Sequence, residues 1–309
     1  MMSVLLAMQG AIGQGILWGM MALGVYITFR ILDFADLTVD GSFATGGAVC
    51  AVCLSQGMDP LISLIMAILA GSVAGFVTGF LHTKCEIPAI LAGILTQIGL
   101  YSINLRIMGR SNTPLLNADT IFKNVSEMTG LSTTWASLLV GLVFTILIIG
   151  VLYWFFGTEI GSSIRATGNN EQMVRALGVN TNWTKILGLM LSNAMIAMSG
   201  ALVTQSQGYA DVKMGIGSIV IGLASIVIGE VIFGQKGNFA FRLTSIVVGS
   251  VIYRMIVAIV LQMGMNTDDL KLLTAVLVAI ALSIPVLANK RNQLAMYKKL
   301  TGENHHVED

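Results

Sequence analysis

The sequence predicts an all-α, polytopic membrane protein with about nine transmembrane helices (eight to ten), and three observations carry that prediction. Apolar residues make up 55% of the 309 and charged residues only 11%, far below the roughly 25% with which a soluble domain coats its surface. The mean hydropathy is +0.82. The apolar residues also fall into successive runs close to the roughly 20 residues that a bilayer crossing needs. Glycine is abundant (34) and proline scarce (4), as suits close-packed membrane helices. Soluble enzymes and nucleic-acid-binding proteins are thereby excluded, and the lipid bilayer is the first partner implied. The net charge of +1 names no charged partner.

The spans follow in order. Gly10–Phe29 is the first, with Ser3–Met8 before it as either an interfacial turn or an extension of the same helix. No Lys or Arg precedes Arg30, so the positive start of a secretory signal peptide is missing and this segment reads as a retained helix. Val39–Leu54 is short and follows carboxylates at Asp33, Asp36 and Asp40. Leu61–Leu81, Ala89–Met108, Trp135–Phe156, Ile186–Val203, Ile216–Phe233, Leu243–Leu261 and Leu272–Ala288 complete the set. Orientation follows from Lys and Arg, which accumulate on the cytoplasmic side. With the C-terminus inside, the inner connections hold Arg30, Lys84, Arg165, Arg175, Lys185, Lys236, Arg242, Lys290, Arg291, Lys298 and Lys299. The outer ones hold only Arg106, Arg110, Lys123, Lys213 and Lys271. The expected organisation is one transmembrane domain over 1–309, with a cytoplasmic loop at 157–184 and a cytoplasmic tail at 289–309. None of the connections is large enough for a nucleotidase domain.

A weak internal repeat relates Ile90–Gly99 to Val220–Gly229, which run in opposite directions across the membrane in this topology. Inverted repeats are common in transporters, with the pathway near the repeat interface.

The inventory of reactive groups is poor. His305 and His306 lie in the polar tail, His82 lies at a helix end, and neither a nucleophile elbow nor a phosphate-binding loop is present. No metal or cofactor is expected on this chain. Cys50-x-x-Cys53 lies in an apolar run without further ligands and reads as helix packing. Gly71, Gly75 and Gly79 make a flat face for close approach of another helix, within the chain or from a second subunit.

Polar groups inside spans need partners or water. Thr96, Gln97 and Asn104 in the fourth span and Asn193 in the sixth are either interhelical hydrogen-bonding groups or the lining of a translocation path. Glu230 is expected to pair with Arg242, and Arg254 to pair with Asp211 or Asp268 or to reach the outer interface. The run Leu32–Phe43 is either a solvated turn or a broken helix, which Gly41 and Ser42 permit, with freed backbone lining a cavity. Asp40 and Ser42 are therefore further candidates for the path.

The loop at 157–184 is the strongest signal. Asn169 is placed to cap a short helix, with Gln172 as its capping-box partner, and Gly178 to end it. Met173, Val174 and Leu177 give that helix an apolar patch, flanked by Glu171 and Arg175. Such a helix either lies on the membrane or docks into a partner's groove.

The segments Gly161-x-x-Ile164-Arg165-Ala166-x-Gly168-x-Asn170 and Ala176-Leu177-Gly178-Val179-Asn180 resemble the signature loop of permease subunits of ABC importers, of the branched-chain amino acid and ribose type. Asp33-Phe34-x-Asp36-Leu37-Thr38-Val39-Asp40-Gly41-Ser42, Leu100–Gly109 and Gly208–Gly215 are similar to the subgroup associated with tryptophan and tyrosine import. The resemblance covers residues 10 to 290.

It implies a homodimeric permease in a bacterial plasma (inner) membrane, without catalysis of its own. Cytoplasmic ATPases carrying ATP and Mg would dock on a coupling segment containing Arg165, Gly168, Asn170, Glu171, Met173, Val174, Arg175, Ala176, Leu177 and Gly178. An extracytoplasmic solute-binding protein would deliver an aromatic or branched-chain amino acid. Two rival readings remain. A secondary transporter driven by H⁺ or Na⁺ would rely on intramembrane carboxylates, for which Glu230 and Asp40 are the candidates. A non-transporting membrane scaffold would need no coupling loop.

Overall fold

The computed structural model describes residues 2–116, 118–234, 237–264, 269, 272–280 and 283. Helix α1 (Met2–Tyr26) continues as a π-turn over Ile27–Ile31. Residues 3–8 thus belong to the first helix. Then come α2 (Val39–Ser55), α3 (Pro60–Thr83), α4 (Ala89–Met108), the short strand β1 (Asn112–Pro114), α5 (Ile121–Thr129), α6 (Thr133–Gly157), α7 (Glu159–Asn169) and α8 (Glu171–Ala176). The chain continues through α9 (Thr181–Gln207), β2 (Tyr209–Asp211), α10 (Ser218–Phe233) and α11 (Phe239–Gln262).

Among the described residues, six helices are long and apolar enough to cross a membrane, namely α1, α3, α4, α6, α9 and α11. The second and seventh expected spans are shorter helices, α2 with 17 residues and α10 with 16. The ninth, Leu272–Ala288, falls only partly on described residues, of which 272–280 are helical. The tail from 289 lies outside them.

Local chemistry sets the element ends. Asp59 caps α3 by accepting from Leu61 N–H at 2.8 Å, and Pro60 takes the first helical position, where no N–H is needed. Thr120 caps α5 and accepts from Lys123 N–H. β1 and β2 pair antiparallel, with Thr113 opposite Ala210, and so tie the segment after α4 to the end of α9.

Helix α9 is the axis of the molecule. It is buried along most of its length and packs against α1, α2 and α3, while α1 packs in turn on α10, α11 and α6. The glycine stripe of α3 faces α9. A Cβ at Gly71 or Gly75 would collide with the α9 backbone at Asn193 and Leu189, and one at Gly79 would come within 3.0 Å of Ile186. Of the two expectations for this stripe, packing within the chain accounts for it. Cys50 and Cys53 are buried and unbridged, and Cys50 Sγ lies 3.4 Å from Ser63 Oγ. The segments proposed as an inverted repeat sit in α4 and α10, which both pack on α2.

One expected ion pair is corrected. Glu230 pairs with Arg30 at the end of α1, not with Arg242, because α10 packs along α1 and brings its last turn beside the π-turn. Arg242 lines the same pocket as Tyr26, Arg30 and Glu230. Arg254 lies over the Trp18 ring, 4.0 Å from its centroid, a cation–π contact. Asp211 accepts from Asn112 and from Lys213 N–H, and Asp268 is outside the described residues.

Candidate functional site

The chain breaks between α1 and α2. After the π-turn, Asp33 takes a left-handed backbone (φ 52°) and the chain enters the bundle before α2 begins at Val39. The segment wedges among α3, α4 and α9. Thr38 Oγ1 lies 2.7 Å from Thr78 Oγ1 of α3, and the backbone at Leu37 abuts Gly93 of α4. The broken-helix expectation describes this geometry, whereas a solvated turn does not. Asp33 is exposed but Asp36 is buried.

A buried carboxylate needs donors. Asp36 Oδ1 accepts from Thr38 N–H at 2.8 Å, and Oδ2 accepts from Asn193 Nδ2 at 2.8 Å. Asn193 Oδ1 accepts from Ser42 Oγ at 2.6 Å. Ser42 and Asn193 therefore sit in a closed polar network that clamps the break to α9, and neither borders the adjacent cavity. Thr96 is buried and bonds Ala92 O of its own helix at 3.0 Å.

Asp40 has a different task. Its Oδ2 accepts from Gly217 N–H, and its Oδ1 accepts from Ser218 Oγ and Ile219 N–H, at 2.9–3.0 Å. It caps α10 from another helix and places a carboxylate at the positive end of that helix. Asp40 also borders a cavity of about 260 Å³, lined further by Gly41, Ala44, Gln97, Ile98, Tyr101, Asn104, Val212 and Ile216. The fold thus brings together three of the six residues expected on the path: Asp40, Gln97 and Asn104. Asn104 is 0% exposed, and neither of its amide atoms has a hydrogen-bond partner among the described residues. Tyr101 was missed by sequence reasoning. Its place on the same face, one turn from each of Gln97 and Asn104, is the signal that could have found it.

The expected coupling segment forms a second site. α7 runs on to Asn169, so the cap of α8 is Asn170, not Asn169. Asn170 Oδ1 accepts from Met173 N–H at 3.0 Å. The reason is tight packing of α7, whose Gly168 lies against the Ile31 carbonyl and whose Thr167 meets Thr184 of α9 at 2.9 Å. α8 is short, and Gly178 ends the turn after it with φ 85°. The expected apolar patch is split, because Val174 is 2% exposed and anchors α8 inward. Met173 (51%) and Leu177 (74%) stand outside it. Arg165 lies over the Phe239 ring of α11, 5.4 Å from its centroid, and so braces the loop.

Glu171 holds α8 to α9. Its Oε1 accepts from Arg175 at 2.9 Å and from Thr181 Oγ1 at 3.1 Å, and its Oε2 accepts from Lys185 at 2.7 Å. Partial burial pushes the Glu171 carboxyl up, but Lys185, Thr181 and Arg175 outweigh it and hold the group below the ordinary carboxylate range. This latch was not visible in the sequence, since Lys185 lies fourteen residues from Glu171 in the next helix.

Residues 7–287 match the family profile described as the branched-chain amino acid transport system permease component. The chain belongs to this permease family. The permease is 43% identical over 265 residues to a tyrosine transport system permease protein of Clostridioides difficile (strain R20291), covering 86% of each chain. It is 34% identical over 167 residues to the autoinducer 2 import system permease protein LsrC of Yersinia pseudotuberculosis (strain YPIII), covering 52% of the permease and 45% of that protein. Among solved structures, a metal-chelate type ABC transporter in an inward-facing conformation shares the fold, with a TM-score of 0.51 at 17% identity, over 91% of the permease and 85% of that chain. The permease is thus a polytopic, all-α membrane subunit of a transport system, in line with the resemblance drawn from its motifs.

Proposed function

We propose that the permease is the translocation subunit of an ATP-driven importer of an amino acid, with tyrosine the first candidate solute. Two copies form the pathway, a cytoplasmic ATPase docks on α8 of each, and an extracytoplasmic solute-binding protein delivers the solute. The loop at 157–184 and the C-terminus face the cytoplasm of a bacterial cell. ATP and Mg stay on the ATPases, whose closure pushes α8 and shifts the bundle between outward- and inward-open states.

The observation that carries this reading is α8 itself. It is a six-residue helix, capped by Asn170, anchored by Val174 and latched by Glu171, with Met173 and Leu177 left uncovered. Binding of a helix to a membrane surface scales with the apolar area it buries, and two apolar side chains bury little, whereas they suit a partner's groove. The solute assignment is supported by the 43% identity to the tyrosine transport permease. The ion-driven alternative loses its support, since Glu230 is paired with Arg30 and Asp40 caps α10.

The test is co-expression of the permease with its genomic neighbours, extraction in mild detergent, and assay of the purified complex. A bound ATPase, with turnover raised by a binding protein plus tyrosine, is the expected result. Uptake by the permease alone, driven by an ion gradient without ATP, would overturn the assignment.

A further inference from the structure

We propose that the cavity between α2, α4 and residues 212–216 is a solute station that holds the ammonium and carboxylate groups of one zwitterionic amino acid. The proposal rests on the reading of the chain as an amino-acid permease and deepens it by naming the groups that grip the solute.

Size and charge come first. The cavity holds about 260 Å³, just under the roughly 300 Å³ at which pockets for drug-sized ligands begin, so it fits one small solute. Among its described lining residues Asp40 alone carries a formal charge. Each carboxylate oxygen has two acceptor positions. Oδ1 of Asp40 is filled by Ser218 and Ile219, while among the described residues Oδ2 takes only Gly217 N–H and keeps one position open. The start of α10 offsets about half a unit of the negative charge. What remains favours a cation.

The second observation is independent. Asn104 is fully buried, borders this cavity, and has neither donor nor acceptor satisfied among the described residues. A buried amide without partners marks a place where something else supplies them. Its Nδ2 suits a carboxylate and its Oδ1 an ammonium. Gln97, two turns earlier on α4, adds a second amide, and Ile98, Tyr101, Val212 and Ile216 give a wall for an apolar or aromatic side chain. With no cationic residue among the described lining residues, the carboxylate is held by neutral amides. Such a grip passes the solute on without trapping it.

Asn104→Leu tests the idea cleanly. If the amide is an unused polar group, replacing it by a similar-sized apolar one is neutral or stabilising and leaves transport intact. If the amide grips the solute, the same variant keeps its thermal stability and its bound ATPase, while the KM for ATP-driven tyrosine uptake into proteoliposomes rises roughly tenfold or more. The assembled transporter is used throughout. Asn104→Asp provides the second reading, since added negative charge in the cavity repels the carboxylate. Tyramine, which lacks that group, should then gain on tyrosine as a competitor of uptake. Wild-type KM in a stable Asn104→Leu, or an unchanged tyramine-to-tyrosine preference in Asn104→Asp, overturns the station while leaving the importer reading in place. Absence of ATP-driven amino-acid uptake by the wild-type complex overturns the importer reading and the station with it.

Discussion

Asn193 is fully buried in α9, donating to Asp36 and accepting from Ser42. A carboxylate inside a bundle is tolerated only while its donors remain. Asn193→Leu removes the amide donor of buried Asp36, and the expected cost is about 2–3 kcal/mol, read as a fall in the melting temperature of the detergent-solubilised protein. Ser42→Ala should cost less, about 1 kcal/mol, because Asn193 then loses a neutral donor only. Both residues were legible in the sequence as polar groups inside spans. Their partners were not, since Asp36 and Asn193 stand 157 residues apart.

Glu171 carries the pH dependence at the same scale. Its carboxyl is held below the ordinary range by Lys185, Thr181 and Arg175 against the opposing effect of partial burial. A depressed carboxylate contributes stability that is fully present above its unfolded pKa and is lost as pH falls through the lower folded value. The latch is therefore intact near neutrality and opens only in acid, below the usual carboxylate range. Glu171→Gln should mimic the acid state at pH 7. Its expected effect is faster amide hydrogen exchange in α8, a loss on the order of 1 kcal/mol or less given the partial exposure, with exchange in the middle of α9 unchanged. Equal exchange in α8 of both proteins would show that the latch does not hold that helix.

At the scale of elements, α3 and α9 meet through glycine. Gly75 abuts the Leu189 carbonyl, and any side chain there pushes the helices apart. Gly75→Leu is expected to abolish the folded, monodisperse protein in size-exclusion chromatography. Gly99→Leu is the matched control, because a Cβ there meets nothing within 4 Å, and it should behave as wild type. The glycine period announced a close approach but not its partner, since the same stripe serves a dimer face equally well. α8 is the other element with a stated outcome. Leu177 is exposed, so Leu177→Ser should change the unfolding free energy by no more than about 0.5 kcal/mol while the ATPase no longer co-purifies. Retention of the ATPase would remove Leu177 from the docking surface.

At the scale of the whole molecule, the expected orientation has a direct readout in the chain's own cysteines. Cys50 and Cys53 are buried and Cys85 is exposed beyond the end of α3. A membrane-impermeant maleimide should therefore leave intact cells unlabelled and label Cys85 once the inner face is accessible. Leu116→Cys on a Cys85→Ser background should show the reverse, as Leu116 is exposed between β1 and α5 on the expected outer side. Labelling with the opposite sidedness would invert the topology and move α8 away from any cytoplasmic partner.

Composition and apolar run length disclosed the membrane environment and the order of the long apolar helices. Both depend on sums over neighbouring residues: too little charge for a soluble surface, and apolar runs of bilayer length. It also marked the loop at 157–184, because capping and helix termination are local signals read within a few residues. Tertiary structure decided the rest. It paired Glu230 with Arg30 rather than Arg242 and turned Asp40 into the cap of α10. It also closed Ser42 and Asn193 into the clamp on Asp36 and gathered Gln97, Tyr101 and Asn104 beside a cavity. In an apolar bundle a polar side chain must find its partner wherever the helices bring one. Which helix that is depends on packing between segments far apart in the chain, a quantity that no local reading contains.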